Sequence, residues 1–393
     1  MLQAQKDLLD AIIHMVAGAI DAKSPYTHGH CERVPEIARE LAEAAQEATD
    51  GPFADFRLTD DEWYELEVAS WLHDCGKLTT PEYVVDKATR LETLSNRLHE
   101  IRTRFEVLWR DAEIDYLKAM ADGAADGVRA KKHLERRLDE LRRDYRFVAE
   151  CNSGETFMNA ERVQRIEEIG AQTWTRHFDD RIGLSNDEIE RARRTPAREL
   201  PVEEKLLADK VEHLVYRDGP PFGDNPHGFA MDVPERLYNH GEIYNLCIER
   251  GTLTAEERFK INEHIVETIN MLGRLPFPKE LRRVPEWAGN HHEKLDGTGY
   301  PRRLGAEDLS VLARIMAVAD IFEALTASDR PYKPPKKLST SLRVMSSFRD
   351  NGHICPDLFD LFLTSGAFRK YGEAHLKPEQ IDDVDVTEFL GGS

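Results

Sequence analysis

The chain has 393 residues, room for two or three average domains, and 53 Lys+Arg against 73 Asp+Glu give it a formal charge of −20. Charged residues make up 32% and hydrophobic ones 40%, which excludes collagen-like and disulfide-scaffold proteins. The acidic excess excludes a general nucleic-acid coat, because phosphate backbones favour a basic surface.

No run of about 18 apolar residues exists, so no membrane span is expected. The opening MLQAQKDLLDAIIHMVAGAI has no basic region ahead of its apolar part and does not read as a signal peptide. Thr59-x-x-Glu62 is a capping box, and a helix is expected from Asp60 to about Cys75 with Gly76 as its stop. Leu91, Leu94, Leu98, Ile101, Phe105 and Leu108 then follow alternating three- and four-residue steps, as do Leu134, Leu138, Leu141, Tyr145 and Val148. With the glycines of ADGAADG between them, these predict two long helices folded into an antiparallel coiled-coil hairpin. Residues 151–245 hold short helical stretches, one opened by the box Ser185-x-x-Glu188, and a proline- and glycine-rich loop, DGPPFGDNPHGFAMDVP. Thr254-x-x-Glu257 starts a helix through about Leu272. Pro276, Pro278 and Pro285 punctuate a linker before a helix ending near His291-His292, and Val311 to Ser328 reads as a buried apolar helix. No long stretch alternates with period two, so the expected fold class is all-α.

Charge and cysteines are unevenly informative. Residues 1–85 carry 6 basic and 17 acidic side chains, whereas residues 328–349 carry six basic and one acidic. A basic stretch in an acidic protein suits an anionic small ligand, or else a solvated loop and helix face. Five cysteines without a CxxC spacing suggest a reducing, cytoplasmic setting. Cys31 and Cys75 adjoin candidate metal ligands; small packing residues are the first reading, and redox-sensitive thiols the second.

The chemistry lies in the placement of histidine and aspartate. His30 lies in PYTHGHCERV, His73-Asp74 in WLHDCGK, His264 in ERFKINEHIVETINML, and His291-His292 in GNHHEKLDGTGYP. Asp320 interrupts the apolar run IMAVADIFEAL. Burying such a carboxylate unpaired costs several kcal/mol, so it calls for a cation or a strong hydrogen-bond partner. Imidazoles and carboxylates together suit divalent transition metals.

The order H…HD…H…HH…D resembles the HD-GYP family, a branch of the HD-domain metal-dependent phosphohydrolases. HHEKLDGTGYP matches that family's HHExxDGxGYP signature, WLHDCGKL is similar to its LHDxGK motif, and ADIFEALTASDRPYK is similar to its AD-x-[FY]-x-A-[LM]-T-x-DRPY[RK] stretch. The resemblance covers about residues 8–85 and 246–372. It implies a helical-bundle catalytic core, 1–85 and 246–393, with a C-terminal GYP extension and a helical insertion over 86–245. His99 and His264 compete for the third ligand position, and the LTAEERFKINEH context selects His264. Some relatives have a Glu four residues before the first His to hold a third metal; Tyr26 stands there, which favours a dinuclear site.

The resemblance further implies that His30, His73, Asp74 and Asp320 hold one metal, that His264, His291 and His292 hold the other, and that Asp74 and a water or hydroxide bridge the pair. Iron or manganese is expected. Lys77, one turn beyond Asp74, would contact a phosphate oxygen, or else serve as an exposed helix-end lysine. Asp296, Gly297, Gly299, Tyr300 and Pro301 form the GYP loop, which would shape the substrate site or act as a structural turn. Arg330 and Lys333 stand where relatives grip the second phosphate or guanine. The implied activity is hydrolysis of cyclic di-GMP to pGpG or GMP. Another cyclic dinucleotide such as cyclic GMP-AMP, or a non-catalytic signalling scaffold, are the alternatives. A homodimer or a signalling partner docked through the hairpin is a further expectation.

Overall fold

The computed structural model describes residues 2–23, 29–123, 126–327 and 335–391. Its helices are α1 (Leu2–Lys23), α2 (His30–Glu47), α3 (Asp60–Leu72), α4 (Glu82–Val85), α5 (Leu98–Ala121), α6 (Gly127–Cys151), α7 (Ala160–Gly170), α8 (Asn186–Ala192), α9 (Glu242–Leu246), α10 (Ala255–Asn262), α11 (His264–Gly273), α12 (Val284–Gly289), α13 (Val311–Thr326), α14 (Leu338–Asp350), α15 (Pro356–Thr364) and α16 (Ala367–His375). Four short strands join them: β1 (Thr173–Arg176), β2 (Val202–Lys205), β3 (Leu214–Tyr216) and β4 (Arg236–Asn239). None of the described helices is long and apolar enough to cross a membrane.

The chain divides into two units. The first comprises residues 1–85, 221–233 and 260–393, and the second comprises 86–220 and 234–259, so the division falls inside α10.

The first unit is all-helical among its described residues. Its core is built around α2 and α13, with Val34, Ile37, Leu41, Ile315, Met316, Val318 and Phe322 fully or nearly fully buried. Each such side chain contributes about 1.5–3 kcal/mol by leaving water. The three capping boxes form as the sequence predicts. In α3 the Thr59 hydroxyl accepts from Glu62 N (3.3 Å) and the Glu62 carboxylate accepts from Thr59 N (2.9 Å). α13 starts at Ser310, whose hydroxyl accepts from Ala313 N. It ends at Thr326, near the expected boundary.

Two boundaries differ in ways that matter for the site. α3 stops at Leu72, and a tight 3-10 turn, Cys75–Thr79, follows. The helix predicted from Thr254 to Leu272 is two helices, broken at Glu263. The His264 ring takes up the Ile261 carbonyl at 2.6 Å. A continuous helix would spend that carbonyl on the backbone N–H four residues on.

In the second unit α5 and α6 pack together through Ile101, Phe105, Leu108, Leu141 and Val148, with Phe105 and Tyr145 edge to face at 5.5 Å. The predicted seam overreaches at its start. Leu91 and Leu94 precede the helix, in a turn where the Glu92 carboxylate accepts from Ala88 N and Thr89 N, and Leu94 is 91% exposed. β1 pairs with β2 and β3 with β4, both antiparallel. These strands were missed because three or four residues are too few for a period of two to register.

Candidate metal centre

Five separate stretches of the first unit bring seven side chains together. His30 is the first residue of α2, His73 and Asp74 follow the last turn of α3, and His264 opens α11. His291 and His292 lie just past α12, and Asp320 sits in the middle of α13. Helix ends suit this purpose: they set side chains at a fixed point while leaving them clear of the next turn.

The imidazoles are oriented by their own backbone. His73 Nδ1 donates to Ser70 O (2.6 Å), His264 Nδ1 to Ile261 O (2.6 Å) and His291 Nδ1 to Ala288 O (2.7 Å). Each bond reaches three residues back, fixes the tautomer and turns the Nε2 lone pair inward. His30 Nε2 lies 3.2 Å from His73 Nε2, 3.3 Å from Asp74 Oδ2 and 3.2 Å from Asp320 Oδ1. His264 Nε2 lies 3.2 Å from Asp74 Oδ1.

Three overlapping groups each hold ligand atoms within 4.8 Å of one another: His30, His73 and Asp320; His264, His291 and His292; and His73, Asp74 and His291. Asp74 Oδ1, His264 Nε2 and His291 Nε2 are buried without a hydrogen-bond partner. Buried acceptors left in this way are costly, and a shared cation satisfies all three at once. The residues present therefore fit a divalent metal pair.

The electrostatics point the same way. Burial pulls the Asp74 carboxyl up, but Lys77, His73, His264 and His30 outweigh it and hold it well below the usual range. Asp320 is likewise lowered against its burial, by His30 first. Burial drives His291 down to about 4 and His292 well below its ordinary value, each helped by neighbouring imidazoles. Burial also disfavours charge on His30, yet Asp320, Asp74 and Glu323 raise it well above the ordinary imidazole value. The carboxylates attract positive charge strongly, and two of the imidazoles are held neutral, the form that binds metal.

Several supporting residues were not legible in the sequence. Glu323, one turn after Asp320 on α13, accepts from His30 Nδ1 and from Arg33 Nε at 2.7 Å. Asp21 of α1 accepts from Gly29 N at 2.9 Å and so seats the start of α2. Thr268 of α11 accepts from Gly76 N at 2.9 Å and donates to His73 O at 3.2 Å. Gly76 allows this approach, since a Cβ there would stand 1.8 Å from His264 O.

Glu293 is buried and accepts from Arg302 N (2.6 Å) and Leu304 N (2.9 Å), clamping the loop that carries Tyr300. Glu323 is signalled by its spacing from Asp320, and Glu293 by adjoining His292.

The remaining predicted residues are placed as follows. Lys77 pairs with Asp74, and although burial opposes its charge, Asp74 and Asp320 raise its pKa. Tyr300 stacks on His292 at 4.8 Å. Gly299 is packed against the backbone of Glu293 and Lys294, where a Cβ would come within 2.5 Å, and Pro301 is buried. Asp296 accepts from Thr298 N at 2.8 Å, and Gly297 has φ 73°. His99 is exposed on α5, in the second unit.

Arg330, Lys333 and Tyr26 lie outside the described residues. Of the basic stretch that is described, Arg349 is spent on Asp350 (2.8 Å) and Asp360 (3.4 Å). Cys31 and Cys75 belong to the apolar core. Burial raises the Cys31 thiol well above its ordinary value and pushes Cys75 up to about 12. Both thiols are therefore held protonated, as packing residues are.

A family model described as an HD domain matches residues 201–358. The chain is 36% identical over 145 residues to a 3'3'-cGAMP-specific phosphodiesterase of Vibrio cholerae, which is 35% of this chain and 33% of that protein. It is 46% identical over 133 residues to a cyclic di-GMP phosphodiesterase of Pseudomonas aeruginosa, 34% of this chain and 29% of the relative. It is 36% identical over 133 residues to one of Thermotoga maritima, 34% of this chain and 33% of the relative. The chain thus spans about a third of the length of these relatives.

Proposed function

From the match of residues 201–358 to an HD domain and the likeness to cyclic dinucleotide phosphodiesterases, we propose that the chain is an HD-GYP-type, metal-dependent phosphodiesterase for a cyclic dinucleotide, with cyclic di-GMP as substrate and pGpG or GMP as product. The observation that carries this reading is the convergence of seven inward-facing ligands with three orphaned buried acceptors. Names of relatives support both cyclic di-GMP and 3'3'-cGAMP as substrate, so a cyclic GMP-AMP phosphodiesterase is the second reading.

His30, His73, Asp74 and Asp320 would hold one metal and His264, His291 and His292 the other, with Asp74 shared. Iron or manganese suits this donor set. Two such cations would lower the pKa of a bound water and neutralise the non-bridging oxygens around the phosphorus that it attacks.

The chain's own groups do the rest. The three backbone carbonyls behind His73, His264 and His291 keep the rings in place, so little reorganisation is needed when substrate arrives. Lys77 steadies Asp74 and offers an ammonium to a phosphate oxygen. Tyr300, stacked on His292, gives the site an aromatic wall against which a base can lie. Arg330 and Lys333 would grip the distal phosphate or guanine. Residues 86–245 are an insertion into the catalytic core, of which 221–233 has joined the first unit. The unpaired cysteines suit a reducing compartment such as the cytoplasm.

The test is turnover of cyclic di-GMP, cyclic GMP-AMP and pGpG, side by side, by protein purified without oxygen and loaded with iron or manganese. Cyclic di-GMP is expected to be consumed, and Asp74→Ala to abolish both turnover and metal binding. Turnover of cyclic GMP-AMP with cyclic di-GMP untouched overturns the first reading in favour of the second, and a protein that binds no metal overturns both.

A further inference from the structure

Residues 217–235 connect β3 to β4 without regular secondary structure. Loops of this length without secondary structure are uncommon in compact domains and are usually either functional or linker segments. The segment 221–233 belongs to the first unit, although the residues on either side of it belong to the second.

Its internal structure is specific. Asn225 (φ 50°) accepts from Phe229 N at 2.7 Å and donates to Phe229 O at 2.9 Å, closing the segment on itself. This presents Phe229, 6% exposed, to Val266 and Ile269 of α11. Next, Ala230 N donates to Pro301 O at 2.7 Å, and Asp232 accepts from Arg303 Nη2 at 2.6 Å. A loop that merely covered Val266 and Ile269 would need Phe229 alone. The two polar ties to Pro301 and Arg303 add a second attachment.

Both attachments lead to the same half of the centre. α11 opens with His264, and residues 301–303 follow Tyr300, which stacks on His292. The contacts named here go to α11 and the Tyr300 loop, and not to α2 or α13, which carry His30 and Asp320. We propose that residues 221–233 are a strap that positions the His264–His291–His292 half of the centre, with Phe229 and Asp232 as its positioning residues. The proposal rests on reading the cluster as a two-metal site. It also assigns a part of the inserted sequence to the catalytic core.

The experiment compares Phe229→Ala and Asp232→Ala with the unaltered chain. Metal per chain is measured after loading, and hydrogen exchange is measured in the chelator-treated protein. Asp232 is 93% exposed, so its replacement leaves the core intact. The unaltered chain is expected to hold two metals. Phe229→Ala should bind one of them several-fold more weakly, and Asp232→Ala, which removes only an exposed ion pair, should weaken it less in the same direction; both should exchange faster over 264–273 and 293–305 but not over 30–47 or 311–326. Unchanged metal binding with unchanged exchange overturns the strap, as does loosening spread equally over all four segments. If the unaltered chain holds no metal, the two-metal reading fails, and the exchange pattern alone decides whether the strap positions these segments.

Discussion

His264 Nε2 and Asp74 Oδ1 stand 3.2 Å apart, buried, and neither has a hydrogen-bond partner. The His264 ring has already given its Nδ1–H to Ile261 O, so its inner nitrogen faces the carboxylate as one acceptor facing another. A metal cation between them satisfies both at once. Divalent metal at about 100 times its Kd should therefore raise the stability of the protein by about 2.7 kcal/mol for each site filled. Asp74→Asn should show little of that gain. Thermal unfolding with manganese or with chelator measures it, and an equal shift in both proteins would contradict the assignment.

Glu323 controls His30 from behind. Its carboxylate takes the His30 Nδ1 and the Arg33 guanidinium, and burial that would raise its pKa is outweighed, by His30 first. Glu323→Gln keeps the shape but offers a weaker acceptor. A loss of about 10–100-fold in metal affinity is expected, as for other outer partners of ligating imidazoles, with Arg33→Ala smaller in the same direction. Metal titration of the purified variants decides it.

The candidate ligands were legible because an aspartate in IMAVADIFEAL has few structural explanations and because the order H…HD…H…HH…D resembles the HD-GYP family. Their supports were not. Asp21, Thr268 and Glu323 are ordinary residues on ordinary helices; Glu323 acts on His30 and Thr268 on the backbone of Gly76 and His73, all distant in sequence, while Asp21 reaches only from α1 to Gly29 at the start of α2. The break at Glu263 was also invisible, because the pattern from Thr254 to Leu272 is that of one helix. At the break, the His264 ring takes the Ile261 carbonyl, a contact that the helical spacing does not signal. The hairpin seam was read too far toward its start, since Leu91 and Leu94 keep the helical spacing in a turn that Glu92 ties shut.

Gly76 gives a sharper test of packing. A Cβ there would meet His264 O at 1.8 Å and Thr268 N at 2.6 Å, both backbone atoms that cannot swing aside. Gly76→Ala must push α11 away from the His73–Asp74 turn. It should cost at least about 1–3 kcal/mol of stability and separate His264 from Asp74, so that metal binding falls as well. Gly18→Ala, inside α1 with nothing within 4 Å of its Cβ position, is the control: it should leave metal binding unchanged and raise stability, by about 0.5–1 kcal/mol, rather than lower it.

The second unit carries its own pH dependence. His240 stacks on Tyr238 at 5.7 Å, and burial first, then Arg97 and Lys87, push its pKa down to about 4. His213, whose carbonyl accepts from His240 N at 2.9 Å, is lowered mainly by burial, with Arg97 and Lys210 adding and Glu242 and Asp209 opposing. An unfolded histidine takes up its proton near pH 6.5. Between about pH 4 and 6.5 the unfolded chain therefore binds more protons at His240 than the folded one does, and stability falls as the pH is lowered through that window. Above it, both states carry the neutral ring and His240 contributes no slope. His291 and His292 are lowered too, so the comparison must be internal. With chelator present throughout, the unfolding midpoint of His240→Gln should fall less steeply between pH 6.5 and 4 than that of the unaltered chain. Parallel curves would show that His240 is not held neutral in the folded protein.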